Sequence, residues 1–565
     1  MVDRTAIPAD EPYFDLGSFH RCISTSNRDA QIWFDRGLTL CWSFQQDEAK
    51  ICFEQTLAHD PDCVMGYWGL AFSQGIEYNK SWEIVPPGDL ESMLPKIKDA
   101  IDKAQEKRQY GSAVENALIE AAAARLPSDF KSRDFVSWNT AYADAMKVVY
   151  VQYGEDLDIA ALYAESMMLL SPWKMWDLKT GRPTALSRAD NVKIVLEKAL
   201  KRDEAYEHPG LLHLYVHLME MSPSPELAIP AADRLIGLVP AAGHLNHMPS
   251  HLDILIGDYR RAIYANTRAI IADKMFSATG GFKGFYLIYH LHNINTLVYA
   301  AMLSGQYKVA IRYAELAEQT MPKEMVQHLG HIVESLYRVK IHVFVRFGRW
   351  QEIIAMELPE PQSLFPLTTA YTLFAKGVAY SATRDISNAE RHRELYVSAL
   401  DRVPPGHLIF PNKATDVLAI GTAMLDGELE YRKGNFEAAF KHLRLSIERY
   451  DGIGFGEPWG WMQPVRHAYA ALKIERGELE EALSTYAADL GYNGSLPRAV
   501  QHPNNVWALH GYHECLMKLG RKDEAAIIQP QLRLALAVAD VDISSSCFCR
   551  LETDDRVVVN GEKCC

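Results

Sequence analysis

Eight of the chain's 20 histidines fall in three short strings: His208-Pro-Gly-Leu-Leu-His213-Leu-Tyr-Val-His217-Leu-Met-Glu220, Gly243-His244-Leu-Asn-His247-Met-Pro-Ser-His251 and Tyr289-His290-Leu-His292. In a helix, His213, His217 and Glu220 project from one face within two turns, because residues three and four apart are neighbours on the helix surface. His247 and His251 repeat the four-residue spacing, with His244 one turn earlier. Pro249 complicates the second string. Proline sits best in the first turn of a helix, which puts His244 and His247 on the entering loop and His251 on the helix proper. Neutral imidazoles beside a carboxylate make a donor set for zinc, copper or iron, whereas magnesium and calcium ask for more oxygen. A single histidine on an apolar helix face is ordinarily a core residue satisfied by one hydrogen bond. Two such groups close together in sequence point to a metal site.

The metal would decide the reaction. Six histidines in two groups, joined by His290 and His292, could hold two ions with three imidazoles each, as in coupled binuclear copper sites. Fewer histidines with Glu165 and Glu220 would make a mixed imidazole and carboxylate iron site. Either supports oxidation by O2, which closed-shell organic molecules undergo slowly unaided. A single zinc with Glu220 or Glu165 as general base would instead give a hydrolase or lyase. The His-Glu-x-x-His string of zinc proteases is absent. Trp173, Trp176, Tyr215 and Tyr289 would line a pocket for a small organic substrate, an aromatic secondary metabolite for example. Ordinary packing is the alternative for these rings. The reading is a metal-dependent oxidoreductase, with copper or iron ahead of zinc. Its alternative is a non-catalytic scaffold with structural histidines.

Composition sets the frame. The chain has 565 residues, 48% hydrophobic and 23% charged, which describes a folded protein too long for one ordinary core. A net charge of -14 with no basic block argues against binding nucleic acid. No run of 18 apolar residues offers a membrane span, and the polar first residues lack the apolar heart of a secretory signal, so a cytoplasmic location is expected. No phosphate-binding Gly-x-x-x-x-Gly-Lys-Ser/Thr loop, dinucleotide fingerprint or Gly-x-Ser-x-Gly elbow occurs. The cluster Gly280-Gly281-Phe-Lys-Gly284 reads as an interhelical loop.

The elements that must position the histidines are legible in the turns. A glycine followed five residues later by Ala or Ile recurs at Gly257, Gly305, Gly348, Gly434, Gly477 and Gly520. From Gly305 on, the spacing is 43 residues, or 86 where one repeat has drifted. Each turn separates two apolar-periodic segments, so the unit is a helical hairpin, and fixed periods of this length belong to stacked α-solenoids. Trp33, Gly37, Ala49, Phe53 and Pro61 stand where the tetratricopeptide repeat places these residue types. The fold expected is all-α, a tetratricopeptide-like superhelix. Its groove could also receive a protein partner, since such arrays clamp peptide backbones with basic and amide side chains.

The stretches Phe19-His20-Arg21 to Asn79, Leu170-Ser-Pro-Trp173-Lys-Met-Trp176-Asp177 and His208-Pro-Gly to Tyr259 resemble a family of long tetratricopeptide-repeat proteins of bacteria and filamentous fungi. Its members carry similar His-Pro-Gly, His-x3-His-x2-Glu and Gly-His-x2-His-Met-Pro-Ser-His strings. The resemblance covers roughly residues 15 to 320 and implies the fold, leaving the chemistry open. Relatives tend to read Phe-Asn-His-Glu-Glu-Ala in the first hairpin turn, where this chain has Phe44-Gln45-Gln46-Asp47-Glu48-Ala49. That family histidine is missing, and His20 remains as an N-terminal contributor.

The expected organisation is an extension over residues 1–29, a histidine-bearing half over 30–330, a second half over 331–540 and a flexible tail over 541–565. Cys22, Cys41, Cys52, Cys63 and Cys515 read as single reduced cysteines. In the tail, Cys547 and Cys549 with the terminal Cys564-Cys565 suggest either soft-metal chelation, double prenylation or no role.

Overall fold

The computed structural model describes residues 5–127, 129–278 and 285–550. The glycine cluster at 280–284 and the terminal Cys564-Cys565 lie outside them. The chain is all-α and tetratricopeptide-like: helices pack as antiparallel hairpins, such as Arg28–Trp42 with Gln46–His59 in the first unit and Ala414–Arg432 with Phe436–Gly452 in the second. The strands among the described residues are the short pair Leu408–Ile409 and Asn412–Lys413. By internal contacts the chain divides into two units, Met1–Leu252 with Arg268–His290, and Asp253–Thr267 with Leu291–Cys565. The sequence reading put its division at 330.

The first unit opens with the hairpin Arg28–Trp42 and Gln46–His59. Asn27 caps the first helix by accepting from the N–H groups of Asp29 and Ala30, and Asp60 with Pro61 ends the second. Close helix crossing explains the small residues. A Cβ on Gly37 would lie 2.7 Å from the Phe53 ring, and one on Gly69 only 2.3 Å from it. The repeat signature therefore has the packing role that its residue types suggest. The hairpins continue through Leu157–Met168 and Ala189–Ala199 to the buried helix Pro209–Met219.

The second unit is built from six hairpin turns that share one geometry. Gly257, Gly305, Gly348, Gly434, Gly477 and Gly520 all have positive φ, between 61° and 85°. In each, the N–H of the following residue reaches back to the carbonyl five residues earlier, as in Gln306 to Ala301 and Asn435 to Glu430, both at 2.9 Å. This closes the end of the preceding helix. The drifted repeat is also present. Arg384, at φ 61°, takes the glycine's place, and Asp385 N–H donates to Tyr380 O at 2.9 Å.

Residues 541–550 are packed within this unit, with Ile543, Ser546, Cys549 and Arg550 buried. Cys547 and Cys549 are joined by a disulfide. Of the single cysteines, Cys41, Cys52, Cys63 and Cys515 are buried thiols, and Cys22 is exposed. Among the described residues no helix is long and apolar enough to cross a membrane.

Candidate metal centre

The helix Pro209–Met219 is apolar on every side and wholly buried, so its polar residues must find partners inside the first unit. His208 is its N-cap: Nδ1 accepts from Leu211 N–H at 3.2 Å, and Nε2 pairs with Asp158 at 3.1 Å. Pro209 follows at the first helical position, and a Cβ on Gly210 would lie 2.5 Å from the Trp42 indole. The His-Pro-Gly string is thus a helix start with a close crossing, and His208 is structural.

One turn on, the stripe forms as the spacing predicts. His213 Nδ1 is 2.6 Å from Trp42 O, and its Nε2 is 3.1 Å from His244 Nε2. His217 Nδ1 pairs with Glu220 Oε1 at 3.0 Å, while Glu220 Oε2 pairs with His251 Nδ1 at 2.6 Å. His251 Nε2 faces His247 Nε2 at 2.6 Å. The second string is more helical than expected. Gly243–His247 forms a helical turn of its own, and Pro249 opens the next helix, Pro249–Ile256. The proline interrupts one helix and starts another, so His244 and His247 lie on regular backbone.

Two sets of donors within the first unit have metal-site geometry. The ligand atoms of His213, His217 and His244 lie within 4.8 Å of one another, as do those of His217, Glu220 and His251. Among the described residues, His217 Nε2 and His244 Nδ1 are buried without a hydrogen-bond partner. Burial drives the imidazoles of His213, His217 and His244 well below the ordinary histidine value, with neighbouring histidines adding to the effect. They are held neutral, which is the state in which imidazole binds a metal. The orphaned nitrogens of these neutral imidazoles are of the kind that could hold a metal ion.

Aromatic rings close around these imidazoles. Phe44 lies 4.5 Å from the His213 ring and 5.2 Å from that of His244. Tyr78 is 4.8 Å from His217, with Trp173 stacked on it at 5.8 Å. Tyr289 packs on His244 at 4.8 Å and donates its hydroxyl to Glu77 at 2.5 Å. Phe44 occupies the hairpin position that glycine holds in the later turns: its φ is 57°, and Gln45 N–H reaches Leu40 O at 2.9 Å. A left-handed non-glycine residue costs about 1–2 kcal/mol, a strain that persists only where the surroundings fix it.

Other expected residues have surroundings of their own. His290 Nδ1 pairs with Asp273 at 2.9 Å, and Asp273 also accepts from Tyr286 at 2.5 Å. His292 is half-buried on the helix Tyr286–Leu303 and belongs to the second unit. His20 is exposed and held by Asp35 and Cys22 at 2.7 and 3.2 Å, so it makes no N-terminal ligand. Helix geometry turns Tyr215 to the side opposite His213 and His217, where it donates to Glu197 at 3.0 Å. Trp176 Nε1 donates to Leu218 O at 2.7 Å and buttresses the histidine helix. Of the four expected substrate rings, Trp173 and Tyr289 stand at the cluster.

Glu165 is buried, and its Oε2 has no partner among the described residues. Burial raises its carboxyl to about 8, opposed by Arg125 and reinforced by Glu77. Burial likewise raises Glu77 to about 7, against the hydrogen bonds from Tyr289 and Asn79. Sequence reasoning missed Phe44, Glu77, Tyr78 and Arg125. For Phe44 a signal existed, a hairpin turn without its glycine. Glu77 and Arg125 carry no local signal, because their partners come from distant helices.

No known protein family's description matches the sequence, and no curated protein does. Among solved structures, the chain is similar to the Cut9–Hcn1 hetero-tetramer of APC/C, at 12% identity and a TM-score of 0.32, covering 86% of this chain and 76% of that one. It is similar to yeast Tom70 at 12% identity and 0.27, covering 89% and 90%. The Naa15/Naa10 structure bound to HypK follows at 10% and 0.20, covering 90% and 70%. Likenesses this distant assign no residue a role.

Proposed function

We propose that this chain is a tetratricopeptide-like interaction scaffold whose first unit is built around a transition-metal centre. His213, His217 and His244 would hold the ion, with Glu220 and His251 beside them. The observation that carries the reading is the combination of complete burial and orphaned donors. His213, His217 and His244 are 0% exposed, Glu220 1% and His251 2%, and His217 Nε2 and His244 Nδ1 lack partners among the described residues. Metal sites that serve structure are enclosed by protein ligands, whereas catalytic ones keep a position open to solvent or substrate. Three imidazoles and a carboxylate suit copper, iron or zinc.

A second reading is that of an oxidoreductase using copper or iron and O2 on a small aromatic molecule. It is favoured by two buried carboxyls in the same unit, Glu165 raised to about 8 and Glu77 to about 7, so that Glu165 keeps its proton at neutral pH and Glu77 exchanges one there. When bound, a redox metal would supply the electron transfer to O2. The chain's own part would be to hold neutral imidazoles, to keep a proton on Glu165 and to exchange one at Glu77.

Elemental analysis of the purified full chain tests the first reading. It expects a stoichiometric metal, lost in a His213→Ala/His217→Ala variant, and a thermal midpoint that falls on chelation. Absence of metal from a folded protein refutes the centre. Metal-dependent O2 consumption with an aromatic reductant, abolished by the same substitutions, would replace the scaffold reading with the second.

A further inference from the structure

The second unit already contains a peptide segment of irregular backbone in a built site, its end turned by Arg550 N–H donating to Cys547 O at 3.1 Å and by the Cys547–Cys549 disulfide. Asp540 anchors it: its carboxylate accepts from Tyr307 and Lys308 N–H at 2.6 and 2.9 Å, at the start of the helix Tyr307–Thr320. From there residues 541–550 run across five helices without regular secondary structure. Two arginines hold the backbone. Arg346 donates to Ser546 O and Arg432 to Cys549 O. Arg346 is itself fixed, its guanidinium 4.0 Å from the Trp507 ring and 2.9 Å from His467 Nδ1.

The side chains of the segment are read as well. Ser546 Oγ donates to His467 O at 2.9 Å and meets the Tyr486 hydroxyl. Phe548 sets its ring edge-on to Trp507 at 5.7 Å, over Gly348. Arg550 makes a forked pair with Glu514 at 2.8 and 2.9 Å, with its side chain 1% exposed. Main-chain carbonyls held by arginines, with contacts to Ser546, Phe548 and Arg550 on either side of the turn, are means by which a cleft recognises a peptide.

We propose that this cleft of the second unit is a peptide-docking site, occupied in cis by residues 541–550, and that a partner presents a turn with serine, phenylalanine and arginine at the spacing of Ser546, Phe548 and Arg550. The inference rests on the scaffold reading and gives that scaffold its docking groove. Release of the tail opens the site, so partner binding is a competition between an intramolecular and an intermolecular peptide. The tethered copy has the advantage of effective concentration, and a partner must match or exceed it.

Fluorescence anisotropy with a labelled synthetic peptide of residues 541–550 tests this on two proteins, the full chain and a chain ending at Asp540. The expected result is saturable binding to the shortened chain and at least tenfold weaker binding to the full chain. Peptides carrying Phe548→Ala or Arg550→Glu are expected to bind the shortened chain at least tenfold more weakly. A folded shortened chain that ignores the peptide, or binds all three peptides alike, overturns the proposal. If the shortened chain does not fold, the full chain with Phe548→Ala and Arg550→Glu serves as receptor for the unsubstituted peptide, with the same expected and overturning results. A full chain that dimerises on sedimentation, and becomes monomeric when the tail is removed, assigns the cleft to a second copy's tail and overturns occupancy in cis. Absence of metal would refute the centre of the first unit, and O2 consumption would replace the scaffold reading, in either case without changing these affinities.

Discussion

Each unit buries a histidine cluster, and the two clusters are satisfied in opposite ways. In the second unit, Asp489 lies between His467 Nε2 and His502 Nδ1 at 2.9 and 2.8 Å, with Asn505 donating at 3.0 Å. The remaining ring nitrogens are also paired, His467 Nδ1 with Arg346 at 2.9 Å and His502 Nε2 with the Tyr450 hydroxyl at 3.0 Å. In the first unit, imidazole nitrogens face other imidazole nitrogens, and two have no partner among the described residues. Burial is complete in both, so exposure does not separate them. The second cluster shows what a structural histidine network looks like in this protein, and the first departs from it in the way a ligand set would.

The carboxyls make the same contrast. Burial alone would raise Asp489, but His502 and His467 bring it well below the ordinary aspartate value. Glu165, equally buried, has only Arg125 to oppose its desolvation and is pushed up to about 8. One carboxylate is held charged by its partners, and the other is left to keep its proton.

Substitutions can break or sharpen this comparison. The largest effect is expected for Asp489→Ala, which strands two histidines and destabilises the chain by about 3–5 kcal/mol in denaturant unfolding. A loss below about 1 kcal/mol would mean that the second cluster is not a structural network. Next, His217→Ala is expected to weaken metal retention by about 100-fold or more in a chelator competition, while His467→Ala leaves it unchanged. Equal effects from both would remove the distinction between the clusters.

The pH arm follows from Glu165. Its folded value is raised, so the stability it supports is fully present below its unfolded value near 4.5 and is lost as pH rises toward about 8. Between pH 6.0 and 7.5 the wild-type chain should lose about 2 kcal/mol more than Glu165→Gln, by comparison of unfolding curves. Parallel curves would show that Glu165 does not hold a proton there. The smallest effect concerns the turns. Gly434→Ala, at φ 85° with open space around its Cβ position, should cost about 1 kcal/mol through backbone strain alone. Phe44→Gly, by contrast, relieves the same strain in the first unit but empties the place of a buried ring, so it should cost about 2–4 kcal/mol net while loosening metal. A metal affinity unmoved by Phe44→Gly would make that ring simple packing.

Much of this was legible in the residues. Apolar periodicity and the glycine spacing specified helical hairpins, and the four-residue spacing placed His213, His217 and Glu220 on one face, because helix geometry relates residues within a few positions of each other. Tertiary structure decided everything that depends on distant partners. His208 became an N-cap and His20 an exposed ion pair, while His213 met His244 across 31 residues and Tyr289 met Glu77 across 212. Phe44 and Arg384 entered glycine's conformation because the hairpin closes there whatever the side chain. The sequence by itself determined which residue types the helices would carry and on which side. Only packing decided which nitrogens would be satisfied, since a buried donor or acceptor is answered by whatever neighbour the fold brings within 3 Å of it.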